Sequence, residues 1–448
     1  MNTLKQFPYQ NVLVLGLAKS GTAAARILLE NGKNVRVNDM KREEENEEAK
    51  ELKQLGVEVI TGHHPLTVLD GIEIVIKNPG IPYENPVVAE AIKRNIPVIT
   101  EIELAGQLAE GPIVGITGSN GKTTTTTLVY EMLRSSGEKA NISGNIGTVA
   151  SEVAKDIESD EILVVELSSF QLLGIQSFKP TVSVLLNIFE AHLDYHKTLD
   201  HYANAKANIF SNQTESDFVV YNLDDDLVVE LVENAKAKKV PFSTKQHCQN
   251  GAWFDGQTVY FQDQPIMDKR EIVLVGEHNF ENILAAIAAA SLMGAKPEAI
   301  RNVLTTFQGV RHRTQFVRKL NNRSFYNDSK ATNLLATSRA LESFEQPVIL
   351  LAGGLDRGND FDGLIPYLDN VKELVVFGQT ADKLIKVAKQ AGIEHVKIVD
   401  NVEHAVHEAY ASSEEGDVIL LSPACASWDQ YRSFEERGDM FVRAVHKL

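Results

Sequence analysis

Short apolar runs alternate with longer stretches whose apolar positions recur every three or four residues, almost from one end of the chain to the other. NVLVLGL (11–17), NVRVND (34–39), IEIVIKNPG (72–80) and IPVIT (96–100) read as strands, each followed by a turn and a helical pattern. A second series opens at PIVGIT (112–117), continues through EILVVELSS (161–169) and TVSVLLN (181–187), and closes in a helix at FENILAAIAAASLMG (280–294). A third runs through PVILLAGG (347–354), KELVVFG (372–378), HVKIVD (395–400) and DVILLSPA (417–424). Strand–helix alternation of this kind predicts an α/β protein with mainly parallel sheets. The pattern resets at RNIPVITEIEL (94–104) and TTFQGVRHRTQ (305–315), so three domains are expected, over 1–97, 98–309 and 310–448. QHCQNGAWFDGQTVYFQDQP (246–265) has alternation and glycine turns, and predicts a small β-meander inserted in the middle block.

Composition narrows the class. The chain has 448 residues, which at roughly 150 per domain again gives about three. It is 43% hydrophobic and 23% charged, the profile of a folded protein rather than a disordered one. There are 44 basic and 61 acidic residues, a formal charge of −17, which argues against nucleic acid or anionic membranes as partners. The charged run KREEENEEAKELK (41–53) sits beside Leu52 and Leu55 at helical spacing and reads as a solvated helix face. Cys248 and Cys425 have neither metal nor disulfide spacing, which suits free thiols in a reducing cytoplasm. No apolar run approaches the roughly 20 residues of a membrane span. A cytoplasmic monomer is expected.

Four constellations carry chemistry. GLAKSG (16–21) lies between a strand and a helix, with Asp39 ending the next strand. A tight turn there aims a helix N-terminus at an anion, and NAD, another nucleotide diphosphate and a plain turn all fit. GITGSNGKTTTTTL (115–128) resembles a phosphate-binding loop, although glycine stands at 115 and 118 where the usual pattern wants it at 116. Its backbone N–H groups would wrap phosphates, Lys122 would reach the outer ones, Thr123 would offer its hydroxyl to Mg²⁺, and the Thr-rich segment reads as a capped helix start. Glu166, His192, Asp194 and Lys206 follow on the same sheet edge. Glu166 and His192 suit a Mg²⁺ shell beside triphosphate, against a helix cap and an ordinary loop histidine, while Lys206 by itself reads as a surface lysine. The last third concentrates polar turns at HRT (312–314), YNDSKATN (326–333), GGLDRGNDF (353–361) and SPACASWDQYRSFEERG (422–438), which suit an anionic amino-acid substrate.

TGSNGKT (117–123), ELSSFQL (166–172), GEHNFENILAA (276–286), HRT, NDSKATN (327–333) and SPACASWDQ (422–430), in this order, resemble the Mur ligases of peptidoglycan synthesis, and among them the branch that adds D-glutamate. The resemblance covers all three blocks. It implies a Rossmann-like N-terminal domain, a central P-loop mononucleotide-binding α/β domain and a C-terminal Rossmann-like α/β domain. It also implies ATP-dependent joining of D-glutamate to UDP-N-acetylmuramoyl-L-alanine through an acyl phosphate. Thr117, Gly118, Ser119, Asn120, Gly121, Lys122, Thr123 and Thr124 would then bind triphosphate, with Asn279, Asn282, Arg313 and Asp328 as further ATP contacts. Thr123, Glu166, His192 and Lys206 would surround Mg²⁺, Lys206 as a carbamylated side chain, and Lys122, His192 and Lys206 would be the catalytic set. Lys19, Ser20, Asp39, Met40 and Asn78 would hold the uridine diphosphate, Asn145 and Ser168 the muramoyl part. Lys330, Thr332, Arg357, Ser427 and Phe434 would receive D-glutamate, although the family carries lysine where Arg357 stands. A sibling Mur ligase or a folylpolyglutamate synthase-type enzyme shares the loop. An NAD-dependent dehydrogenase or a regulatory P-loop ATPase would each leave one of these constellations without a role.

Overall fold

The computed structural model describes residues 2–448, apart from the side chains at 277 and 278. The chain divides into two compact units, one ending at Glu271 and taking up Glu281–Val303, the other formed by Ile272–Phe280 and Leu304–Leu448. The first unit holds two sheets. Strands β1 (Asn11–Leu15), β2 (Asn34–Asp39), β3 (Glu58–Thr61), β4 (Ile74–Lys77) and β5 (Val98–Ile99) are all parallel, in the order β3-β2-β1-β4-β5. The second sheet contains β6 (Ile113–Thr117), β7 (Ala140–Gly144), β8 (Ile162–Glu166), β9 (Val182–Leu185), β10 (Phe218–Asn222), β11 (Lys238–Ser243), β12 (Ala252–Phe254), β13 (Thr258–Phe261) and β14 (Gln264–Asp268). Its order is β14-β13-β12-β11-β10-β9-β6-β8-β7. The expected meander is therefore no separate insert: β12 pairs parallel with β11, and β13 and β14 extend the same sheet antiparallel.

Strands β6 and β8 are buried along their whole length, as a parallel strand covered by helices on both faces must be. The two sheets of this unit share one apolar core, in which Val14 and Leu28 join Ile102, Leu163 and Phe178. Register sets the site. Ile116 pairs with Glu166 and Thr117 with Leu185, so β6, β8 and β9 end side by side and deliver their following loops to one edge.

The second unit carries β15 (Gln315–Leu320), β16 (Arg323–Asn327), β17 (Val348–Gly353), β18 (Val371–Phe377), β19 (His395–Ile398) and β20 (Val418–Leu421), ordered β15-β16-β20-β17-β18-β19. Only the β15–β16 hairpin is antiparallel. Separate apolar clusters cover its two faces, one around Leu350 and Leu420, the other around Leu351 and Phe441. No helix among the described residues is long and apolar enough to cross a membrane.

A buried acid marks the packing of the first unit. Glu101 opens the helix Glu101–Leu108, and its Oε1 accepts the Ser151 N–H, 2.5 Å away, at the start of the helix Ala150–Ala154. Burial, above all, pushes its pKa from 4.5 to about 7. A carboxyl raised on folding stabilises fully below its unfolded pKa, and that contribution is lost as pH rises through the folded value. Glu101→Gln should therefore gain on the wild type as pH rises, by about 2 kcal/mol between pH 5.5 and 8.5. Thermal melts of both proteins at the two pH values check this, and a pH-independent difference would contradict it.

Candidate active site

The loop after β6 bends where Gly121 takes a left-handed conformation (φ +83°) and caps the helix Lys122–Ser135. A Cβ on Gly121 would stand 2.0 Å from Asn282 Oδ1, so only glycine fits. The Thr-rich segment is the start of this helix, as expected: Gly121 caps it without a side-chain cap bond, and all five threonines lie inside. Thr125 and Thr126 are buried, and Thr127 Oγ1 donates to the Thr123 carbonyl at 2.8 Å. Thr117 Oγ1 donates to the Leu167 carbonyl (2.8 Å), tying β6 to the turn after β8. Asn187 clamps the loop from the other side, accepting the Ser119 N–H on its carbonyl (2.8 Å) and the Asn120 N–H on its side chain (2.9 Å).

Two lysines meet at this loop. Lys122 Nζ donates to the carbonyls of Gly118 and Ser119, both at 2.9 Å. Lys206 Nζ donates to the same Gly118 carbonyl at 2.8 Å and lies 4.7 Å from the Tyr202 ring centroid. The surface position that residue type alone suggests for Lys206 is overturned, since the side chain is 1% exposed. The helix Leu199–Ala207 turns it inward. Burial, then the neighbouring Lys122 ammonium, holds its pKa well below the ordinary lysine value, against the opposing pull of Glu166.

Glu166 ends β8 fully buried. Its Oε1 accepts Asn145 Nδ2 at 3.2 Å, and its Oε2 has no hydrogen-bond partner. His192 is exposed in a left-handed turn (φ +54°), with its pKa lowered by partial burial of the ring and by the Lys206 ammonium. That shift favours the neutral imidazole, the form in which histidine binds a metal. Among the described residues no group of three or more His, Cys, Asp and Glu is placed to hold a metal alone. That suits Mg²⁺, which keeps several waters and is held by one or two carboxylates together with substrate phosphates. The orphaned Glu166 oxygen fits such an ion.

In the first sheet, Gly16 (φ +90°) and Gly21 shape the turn, and a Cβ on Gly21 would lie 1.9 Å from the Gly16 carbonyl oxygen. Asp39 braces it, accepting the Leu17 N–H (2.6 Å) and the Lys41 N–H (2.7 Å), one on each carboxylate oxygen. Asn78 donates to Ser20 Oγ (3.1 Å), bringing those two together, while Lys19 and Met40 are exposed nearby. Ser168 spends its hydroxyl in a capping box with Gln171.

The other candidates lie in the second unit. Asp328 is buried, accepts the Thr314 N–H (3.0 Å) and Ser422 Oγ (2.8 Å), and burial pushes its pKa to about 7. Arg313 and Arg357 are exposed, and Lys330 Nζ lies 5.1 Å from the Phe434 ring centroid. Thr332 is half-buried, and Asn279 donates to the Val275 carbonyl at 2.7 Å. Ser427 is buried with its Oγ unpartnered.

Two positioning residues escaped the sequence reading. Arg437, fully buried, donates to Ser329 Oγ (3.0 Å) and to the carbonyls of Ser329 (2.9 Å), Gly353 (3.3 Å) and Cys425 (3.0 Å). One guanidinium thus ties together three of the polar turns. Lys77, at the end of β4, donates to the Pro79 and Ile81 carbonyls and to Tyr195 Oη (3.2 Å), linking the Asn78 turn to the helix that follows His192. Lys77 ends an apolar strand run, and Arg437 lies in the stretch 422–438 without having been singled out there; two preceding glutamates make it read as solvated, so only the tertiary packing identifies it.

Family models match the chain in three consecutive segments. They are a MurD-like N-terminal domain of Mur ligases over 10–100, the Mur ligase middle domain over 116–290 and the Mur ligase glutamate ligase domain over 312–425. The UDP-N-acetylmuramoylalanine–D-glutamate ligase of Geobacillus sp. (strain WCH70) is 59% identical over 444 residues, 99% of this chain and 98% of that protein. The ligase of the same name from Bacillus subtilis (strain 168) is 58% identical over 441 residues, 98% of each chain. Among solved structures, UDP-N-acetylmuramate-alanine ligase MurC from Thermotoga maritima superposes with a TM-score of 0.58 at 19% identity, covering 98% of this chain and 100% of that one. MurF ligase from Thermotoga maritima in complex with ADP gives 0.56 at 18%, covering 100% and 97%. These two show the shared fold. With every sheet falling under a model of one family and with relatives matched end to end, this chain belongs to the Mur ligases.

Proposed function

We propose that this chain joins D-glutamate to UDP-N-acetylmuramoyl-L-alanine at the expense of ATP, in the synthesis of peptidoglycan precursors. The observation that carries this is its 58–59% identity, over 98% or more of each chain, to ligases named for that reaction. Sibling Mur ligases among the solved structures are 18–20% identical to this chain, and neither a dehydrogenase nor a regulatory ATPase belongs to this family.

The chemistry has two steps. An oxygen of the L-alanyl carboxylate attacks the γ-phosphorus of ATP, and ADP leaves. The D-glutamate amine then attacks the acyl carbon, loses a proton, and the tetrahedral intermediate expels phosphate to leave an amide. Both steps need negative charge neutralised and reactants held close, rather than elaborate covalent help from the protein. Thr117–Thr124 wrap the triphosphate, with Lys122 exchanging its loop carbonyls for phosphate oxygens. Asn279, Asn282, Arg313 and Asp328 make the remaining ATP contacts. Thr123, Glu166, His192 and Lys206 would hold Mg²⁺, which when bound neutralises charge on the transferring phosphoryl group. Lys206 carries a carbamate in this reading: its amine attacks CO₂, an N–C bond forms and a proton leaves. A buried amine kept below its ordinary pKa is the nucleophilic form, which supports that step.

Lys19, Ser20, Asp39, Met40 and Asn78 hold the uridine diphosphate end, with Asn145 and Ser168 at the muramoyl side. Lys330, Thr332, Arg357, Ser427 and Phe434 receive D-glutamate, and the unpartnered Ser427 hydroxyl supports a ligand there. The chain acts as a monomer, every assigned residue being its own. A cytoplasmic location suits ATP as a substrate and two free, buried thiols.

Phosphate release should require ATP, Mg²⁺, UDP-N-acetylmuramoyl-L-alanine and D-glutamate together. Release with ATP alone, or equal release with other amino acids, would contradict the assignment. Lys122→Ala should lose at least about a hundredfold in kcat while its circular dichroism stays unchanged, whereas turnover within about twofold of wild type would remove the lysine from the ATP site. Protein equilibrated with ¹³C-labelled CO₂ should show a carbamate carbonyl resonance that Lys206→Met lacks; the same resonance in both would place the modification elsewhere.

A further inference from the structure

Trp428 has no part in the chemistry above, yet its place in the second unit is unusual. It is 65% exposed, on the turn that follows β20, directly after the buried Ser427. Over its face lies Arg357, with Cζ 4.9 Å from the ring centroid. Among the described residues, Arg357 has no other interaction: no carboxylate pairs with it and no carbonyl accepts from it.

The backbone holds the two residues at this spacing. The Leu355 N–H donates to the Ala426 carbonyl at 2.9 Å, and a Cβ on Gly354 would come within 2.3 Å of that oxygen. Arg437 ties the same two turns from beneath through the Gly353 and Cys425 carbonyls. The two turns are therefore tied to each other beneath the pair. A guanidinium over an aromatic face spends none of its N–H donors on that contact.

We propose that Trp428 is a positioning residue for D-glutamate, whose indole face fixes the Arg357 guanidinium so that its free donors meet a substrate carboxylate beside the Ser427 hydroxyl. This rests on the ligase reading of the site. The stack removes rotamer freedom from Arg357 before substrate arrives, so the gain is one of preorganisation and falls on the binding of that one substrate.

Steady-state KM values for D-glutamate, UDP-N-acetylmuramoyl-L-alanine and ATP in Trp428→Leu, Trp428→Phe, Arg357→Gln and Arg357→Gln/Trp428→Leu test it. Leucine keeps apolar bulk but removes the π face, so Trp428→Leu should raise the KM for D-glutamate about three- to fivefold. The other two KM values should move by less than about twofold. Trp428→Phe should recover most of the loss, and Trp428→Leu should add nothing further in the Arg357→Gln background. An unchanged KM for D-glutamate in Trp428→Leu, an equal rise for all three substrates, or additive losses in the double variant would overturn the pairing while leaving the ligase reading intact. Wild-type phosphate release that ignores D-glutamate would instead remove the ligase reading, and the proposal with it.

Discussion

Two lysines converge on one carbonyl oxygen, that of Gly118, and the candidate active site is organised around this crowding. Lys122 and Lys206 donate to it at 2.9 and 2.8 Å, and the Lys122 ammonium joins burial in holding the Lys206 pKa down. Glu166 alone stands opposite, with one carboxylate oxygen unpartnered. A glycine bend at the start of a helix, with Lys122 beside it, suits a polyanion. Stability is given up locally so that binding and phosphoryl transfer can recover it.

The fold makes that crowding possible. Because β6 and β8 are buried on both faces, their ends are fixed by the sheet rather than by the loops, and the register Ile116–Glu166 places acid and phosphate loop together. Lys206 comes in from the helix Leu199–Ala207, and Asn187 and Tyr202 hold the loop from the same side through Ser119 and Asn120. In the second unit a single buried cation does the equivalent work. Arg437 has only carbonyl and hydroxyl oxygens as hydrogen-bond partners, and burial brings its pKa down to about 10. Its bonds hold three turns whose side chains remain available for a ligand.

What could be read from the sequence follows from the same physics. Apolar runs such as ILVVE and VILLAG mark strands covered on both sides, and these were legible. Strands β3 and β11 were not, since GVEVITG and KKVPFS mix charge or proline into short segments; β7, ANISG at a sheet edge, has little apolar content, whereas β10, FVVYN in mid-sheet, was legible and went unread. The phosphate loop was legible through its glycines and Lys122, and the Thr-rich helix start through its place after them, although which residue caps it, Gly121 by its left-handed conformation, shows only in three dimensions. Lys206, Arg437 and Lys77 are charged residues in the core, and local sequence carries no signal for that. Asp39 was recognisable as the end of β2, whereas its role in bracing the Gly16 turn appears only in three dimensions. Substrate contacts came from family resemblance rather than from residue chemistry.

The account stands on transfer of the γ-phosphoryl group to a carboxylate oxygen before the amide forms. UDP-N-acetylmuramoyl-L-alanine labelled with ¹⁸O in its alanyl carboxylate, turned over with ATP and D-glutamate, tests this directly. One labelled oxygen should leave in each phosphate released. Unlabelled phosphate would contradict an acyl-phosphate ligase and the reading of the two-lysine site that supports it.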